Sequence, residues 1–181
     1  MLTPLSSRSF PAADASFAIV ASRYNARYVN AMLRAAQAEL KRAGARRVEV
    51  FRVPGAYEIP VVAAWLARSA AGYEAAAAAV RARLPHRSSP SAILCLGVIL
   101  RGETVHAAHI GEAVSRALMR IQLDYLVPVI HEVLLLENED QARARCLSRT
   151  HNRGTEAAQT ALAMARTMGR LGGGNRRKAL A

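Results

Sequence analysis

Between Ser91 and Arg101 the chain runs Ala-Ile-Leu-Cys-Leu-Gly-Val-Ile-Leu, without one charged or strongly polar side chain. Such a run, from Ala92 to Leu100, is half the roughly 18 uncharged apolar residues that a membrane span needs, and no longer run occurs elsewhere. It also lacks the polar and apolar alternation of a strand with one wet face. The pattern is that of a strand buried on both sides, and such a strand requires helices above and below it.

The flanking sequence supplies them. Phe17 to Ala21 is a first apolar run that ends at Ser22. Val29, Met32, Leu33, Ala36 and Leu40 then fall on one face of a helix, which Gly44 closes as a C-terminal cap residue would. Val48, Val50 and Val53 flank Glu49 and Arg52 in a second, mostly alternating strand that Pro54 and Gly55 stop. Ile59 to Ala70 reads as a helix that tolerates Pro60 within its first turn. Tyr73 to Arg83 reads as an alanine-rich helix, and Leu84 to Ser91 as a loop. Beyond the central run come a helix from about His106 to Tyr125, a strand from Val127 to Leu136, and helices over Glu137 to Arg149 and Thr155 to Leu171. The last carries Ala158, Ala161, Leu162, Ala165 and Met168 on one face. This order predicts right-handed crossovers and an α/β fold: a four-stranded parallel sheet with helices on both faces, a three-layer α/β/α sandwich. At 181 residues the chain is one domain. Residues 1–16 are read as a flexible N-terminal arm, 17–171 as the domain, and 172–181 as a disordered basic tail.

Charge is the feature most open to misreading. The formal net charge is +12, from 25 Lys and Arg against 13 Asp and Glu. Lys41 and Lys178 are the only lysines, however, and alanine dominates the apolar residues, which points to a genome-wide Ala/Arg bias. Nucleic-acid tracts mix in lysine and interleave aromatics, so the charge is not read as a nucleic-acid signal. Part of the excess sits in Arg176, Arg177 and Lys178. Cys95 and Cys146 are too few and too far apart for a disulfide framework or a zinc site, which makes a reducing cytoplasm the expected compartment. Met1 to Ser16 lacks the apolar core of a signal peptide and is short for an organelle transit peptide.

In an open parallel sheet, ligands bind at the carboxyl ends of the strands. Those ends are Ser22-Arg23-Tyr24-Asn25, Pro54-Gly55-Ala56-Tyr57-Glu58, Arg101-Gly102-Glu103-Thr104-Val105-His106 and Leu135-Leu136-Glu137-Asn138, and most of the unusual polar chemistry gathers there. Tyr24 is either an ordinary loop aromatic or a ring that stacks on a planar heterocycle. Asn25 is equally an N-cap candidate. Glu58 opens an apolar helix, where a carboxylate caps the helix or receives hydrogen bonds from a polyol. The Gly102 loop leads into a helix whose free N–H groups suit a phosphate, with Thr104 as a plain N-cap the alternative. His106 is the loop histidine at that rim, and imidazole is the side chain best suited to moving protons near neutral pH. Arg145 and Arg149, one helical turn apart, can project together toward an anion.

Taken together, the blocks Ile19 to Asn25, Val53 to Pro60, Leu96 to His106, Val127 to Ile130 and Asn152 to Ala158 resemble the 6,7-dimethyl-8-ribityllumazine synthase family, in family order and over nearly the whole chain. PGAYEIP and RGETVH are its most specific segments. The resemblance implies a flavodoxin-like fold and a transferase that works without a metal or an organic cofactor. It implies condensation of 5-amino-6-(D-ribitylamino)uracil with 3,4-dihydroxy-2-butanone 4-phosphate, releasing phosphate and water, the penultimate step of riboflavin biosynthesis. Tyr24, Asn25, Ala56, Tyr57 and Glu58 would then bind the pyrimidine and its ribityl chain, with Val98 and Ile99 lining the ring pocket. Gly102, Glu103, Thr104 and Arg145 would hold the phosphate, and His106 would shuttle protons. It further implies a homopentamer, or a larger shell of pentamers, with Ile130, His131 and Arg145 reaching the site of a neighbouring subunit. Riboflavin synthase is a further implied partner. The chain departs from the family pattern at His131, where phenylalanine is usual, at Ala107-Ala108, and in an insertion around Arg81 to Pro90. A catalytically weak paralogue that binds flavin or lumazine is the alternative those departures leave open.

Overall fold

A computed structural model describes residues 12–70 and 90–178. The helix expected over Tyr73 to Arg83 and nearly all of the 81–90 insertion therefore lie outside the described residues, as does most of the N-terminal arm. Four strands, β1 (Ser16–Ser22), β2 (Arg47–Val53), β3 (Ala92–Leu100) and β4 (Val129–Leu136), form one sheet in the order β2-β1-β3-β4, and every pairing is parallel. The helices are α1 (Ala26–Arg42), α2 (Ile59–Ala70), α3 (His106–Tyr125), a short α4 (Glu139–Ala142) that passes into a π-helical turn over Arg143–Leu147, and α5 (Arg153–Lys178). The three-layer, flavodoxin-like α/β/α arrangement expected from the sequence is the one observed.

The central strand behaves as its composition demands: from Ala92 to Ile99 every residue is buried. Its alternate side chains feed two separate cores. Leu94, Leu96 and Val98 pack with Phe17, Ile19 and Ala21 of β1 against α1 and α5. On the other side, Ile93, Cys95 and Ile99 pack with Ala18 and Val20 against Ile59, Ala63 and Leu66 of α2 and Val114, Leu118 and Ile121 of α3. The edge strand β2 is only partly buried and carries Arg47, Glu49 and Arg52, charges that discourage pairing with another chain.

Helix ends follow the sequence unevenly. At the end of α1, Gly44 takes φ +75°, its N–H donates to the Lys41 carbonyl, and the Ala45 N–H donates to the Leu40 carbonyl. This is the paired closure that a glycine in the left-handed region permits. The helix expected over Glu137 to Arg149 instead ends at Leu147. There the Ser148 hydroxyl accepts the Thr150 and His151 N–H groups at 3.2 and 3.0 Å and turns the backbone away. Arg145 and Arg149 are thus not neighbours on one helix face. The last helix continues through the Gly172 to Gly174 run to Lys178, beyond the Leu171 end read from the sequence.

Candidate active site

The sheet order changes direction between β1 and β3, because β1 leads outward to β2 on one side while β3 and β4 extend on the other. A crevice opens at such a point beyond the carboxyl ends of the strands. Here it is a cavity of about 860 Å³, lined by Tyr24 and Asn25 after β1, Gly55 to Glu58 after β2, Val98 to Leu100 at the end of β3, and His106, His109, Ile110 and Ala113 on α3.

One wall is knitted together. The N–H groups of Arg23 and Tyr24 both donate to the Pro54 carbonyl, at 3.0 and 3.1 Å, and join the first two loops. Beneath them the Arg52 guanidinium donates to the Ser22 carbonyl at 2.9 Å and to Asn30 Oδ1 at 2.7 Å. Asn25 stands at the N-cap position of α1 in the left-handed region, φ 53°, but its side chain does not cap the helix. Its Nδ2 donates instead to the Val98 carbonyl at 2.8 Å and bridges β1 to β3 across the crevice floor. Spacing along the sequence could not reveal that partner, which lies 73 residues away.

Glu58 folds back on its own turn, where Oε2 accepts the Gly55 N–H at 2.8 Å. Gly55 is a close-approach position: a Cβ there would lie 2.9 Å from Glu58 Oε2 and 3.0 Å from the Tyr24 ring. Glycine therefore allows the carboxylate and the ring to share one small turn. Tyr24 and Tyr57 are 70% and 63% exposed, although both line the cavity. Two rings exposed at one mouth offer planar apolar surface that a flat ligand would bury.

The opposite wall is less constrained. Val105, not Thr104, is the N-cap residue of α3, and no side chain caps the helix. Gly102 to His106 are all exposed, and a Cβ at Gly102 would meet nothing within 4 Å. The uncapped N–H groups of α3 remain open to an anion. His106 begins α3 and faces the cavity. His109, one turn on, also lines it, a position that sequence reasoning passed over as merely further along the helix; its three-residue spacing from His106 was the available signal.

The structure thus gathers Tyr24, Asn25, Ala56, Tyr57, Glu58, Val98, Ile99 and His106 into one cavity. Gly102, Glu103 and Thr104 precede α3 but are not among its lining. Ile130, His131 and Arg145 are likewise absent from that lining within this chain. Ile130 packs in the core beneath α1 and α5. His131 lies on the edge strand β4 with part of its ring in contact with solvent, its Nε2 2.8 Å from the Ser115 hydroxyl, and desolvation of the covered part lowers its pKa. Arg145 lies near enough to Glu132 and Cys146 to bear on their titration. Among the described residues no group of three or more His, Cys, Asp or Glu side chains is placed to hold a metal ion, and no helix is long and apolar enough to cross a membrane.

The 6,7-dimethyl-8-ribityllumazine synthase family model matches residues 14–169. The 6,7-dimethyl-8-ribityllumazine synthase of Stenotrophomonas maltophilia (strain R551-3) is 39% identical over 160 residues, covering 87% of this chain and 92% of its own. Those of Xanthomonas oryzae pv. oryzae (strain PXO99A) and Xanthomonas axonopodis pv. citri (strain 306) are each 35% identical over 156 residues, covering 85% of this chain and 90% of their own.

Proposed function

The chain belongs to the 6,7-dimethyl-8-ribityllumazine synthase family, and from that premise we infer that the cavity between β1 and β3 is where its two substrates meet. The enzyme condenses 5-amino-6-(D-ribitylamino)uracil with 3,4-dihydroxy-2-butanone 4-phosphate to 6,7-dimethyl-8-ribityllumazine, releasing phosphate and water. One observation carries the placement: two exposed tyrosine rings, a carboxylate, a structural amide and a histidine converge on a single cavity at the sheet's reversal point.

Tyr24 is the stacking platform for the pyrimidine, backed by Gly55 and fixed by the bonds of its loop to Pro54. Ala56, Tyr57 and Glu58 meet the ribityl chain and ring edge. Asn25 acts mainly through Val98, by setting the distance between the two strand ends whose residues, with Ile99, bound the ring pocket. The phosphate lies at the start of α3, against Gly102, Glu103 and Thr104, where helix N–H groups and incoming arginine stabilise an anion as it departs. His106, at the junction of phosphate rim and cavity, is placed to move protons during amine addition, elimination and ring closure. Holding both substrates in one crevice lowers the entropic barrier to their reaction.

The site is completed by a second copy of the chain, which supplies Ile130, His131 and Arg145. The large apolar side chains exposed on α2 and α3 support self-association, with a homopentamer or a shell of pentamers as the assembly and riboflavin synthase as a candidate partner. Two buried, unpaired cysteines support a cytoplasmic location. Incubation with both substrates, followed by lumazine fluorescence and phosphate release, tests the reading directly. Stoichiometric appearance of both is expected; bound flavin without product would overturn it.

A further inference from the structure

Beyond His106, the cavity holds a second imidazole that the reading above leaves without a task. His109 lies three residues along α3 and lines the same cavity beside Ile110 and Ala113. Residues so spaced share one helix face, with Cβ atoms roughly 5–6 Å apart. Among the described residues no hydrogen bond or ion pair holds either ring, and both side chains are exposed. A histidine serving the fold would be tethered or buried, and neither ring is. The small side chain of Ala113 follows, so nothing bulky stands between His109 and the cavity on that side.

We propose that His109 is a second proton-transfer residue of the condensation, acting at the carbonyl-derived carbon while His106 acts next to the phosphate. The proposal rests on the reaction and the phosphate position inferred above. With the phosphate at the start of α3, His106 stands beside the carbon that bears it. His109 lies about 4.5 Å further along the helix axis and lines the cavity that Tyr24 also lines.

The chemistry requires proton movements at both places. Addition of the pyrimidine amine to the ketone gives a carbinolamine. Its C–O bond breaks as the hydroxyl takes a proton from the His109 imidazolium and leaves as water. The nitrogen lone pair forms the C=N bond, and the N–H proton returns to the imidazole. Next to the phosphate, the C3–H bond breaks, its proton passes to His106, and its electron pair forms C3=C4 as the C4–O bond to phosphate breaks. The enol then takes a proton at C4 as its O–H proton leaves to solvent, giving the methyl ketone, and the ribitylamino nitrogen adds to that ketone and expels its oxygen as a second water to close the ring. Two imidazoles one turn apart on the same helix perform these steps without one ring having to travel between them.

The test uses the full-length enzyme, with His109→Ala and His109→Phe made alone and in a His106→Ala background. Expected is a roughly hundredfold fall in kcat for either His109 variant, with KM for both substrates and the dissociation constant of the lumazine product within about twofold. One ionisation should leave the kcat–pH profile, and imidazole added to the buffer should restore part of the turnover of His109→Ala but not of His109→Phe. The double variant should fall below His106→Ala alone. An unmutated enzyme that turns over while kcat, pH profile and imidazole response are indifferent to His109 would overturn this proposal alone. Failure of the unmutated chain to make lumazine would overturn the function it rests on, and this proposal with it.

Discussion

The two faces of the sheet are closed by different chemistry. Under α1 and α5 the apolar core is ringed by polar ties. Glu39 accepts from Arg42 at 3.0 and 2.6 Å and from Gln159 of α5 at 3.3 Å. Arg153 bridges Glu132 of β4 and Glu156, each at 2.6 Å. Asn152 accepts the Gly154 N–H at 2.9 Å and donates to the Cys146 carbonyl. Under α2 and α3 the contact is apolar, and apolar side chains continue on the outside: Val61, Met119, Leu123 and Leu126 are 56–73% exposed. The first face is finished within one chain. Among the described residues the second is not, and exposed apolar area of that kind is typical of interaction surfaces.

The sharpest way to break this contrast is to insert one methyl on the finished face. A Cβ at Gly154 would be driven into the Met32 backbone carbonyl, so α5 could not seat on α1. Gly154→Ala should cost about 3 kcal/mol or more, or prevent folding, as followed by urea unfolding.

Next in size is Arg153→Met. It strands Glu132, whose side chain is only 6% exposed, and leaving one partner of a buried pair should cost about 3 kcal/mol near neutral pH. Burial already raises the Glu132 carboxyl above its ordinary value even with Arg153 beside it. Without Arg153 the folded state holds that proton over a wider range, so stability is lost as pH rises above about 4.3, the unfolded value, through the folded one. The deficit of Arg153→Met against the unmutated protein should therefore shrink on acidification; a constant deficit between pH 4 and pH 7 would count against it.

How far these two faces were legible in the sequence differs as well. Apolar periodicity placed every strand and the helices α1, α2 and α3 to within a few residues, because one-sided burial writes itself into spacing. Gly44 was recognised as a cap because its role is local. The π-helical turn and the Glu132 to Arg153 pair were not foreseen, since one depends on a single extra backbone residue and the other on a partner 21 residues away; the Ser148 break is local and was missed because a serine there is also compatible with a continuing helix. At the site, the loop residues were identified as a set, yet neither reading of Asn25, as a helix cap or as a neighbour of the pyrimidine, anticipated that its amide crosses to Val98. His109 was overlooked because its exposure toward the cavity depends on how α3 is rotated against β3. Ile130, His131 and Arg145 lie outside the cavity lining of this chain, and the part proposed for them depends on a second copy.

On the unfinished face the expected effects fall on association and not on the fold. Leu123→Glu should change the stability of the separated chain by no more than about 0.5 kcal/mol, while light scattering registers a smaller assembly. An unaltered assembly would show that α3 meets solvent there. The smallest effect belongs to Gly111, the counterpart of Gly154. A Cβ there would meet only Leu135, at 3.6–3.7 Å, an ordinary contact. Gly111→Ala should be neutral or should stabilise by up to about 1 kcal/mol through helix propensity, and a falling Tm would mean that this face is packed more tightly than its glycine suggests.

Each face also encloses one thiol. Cys95 lies in the core under α2 and α3, and Cys146 in the core under α1 and α5; both are fully buried. Burial raises both thiols, that of Cys146 to about 11, so neither supplies appreciable thiolate at neutral pH. Slow reaction with thiol reagents is the expected behaviour of the folded protein. Each sulfur becomes reactive only when its own layer opens. Labelling of each sulfur would therefore report the opening of the core that encloses it.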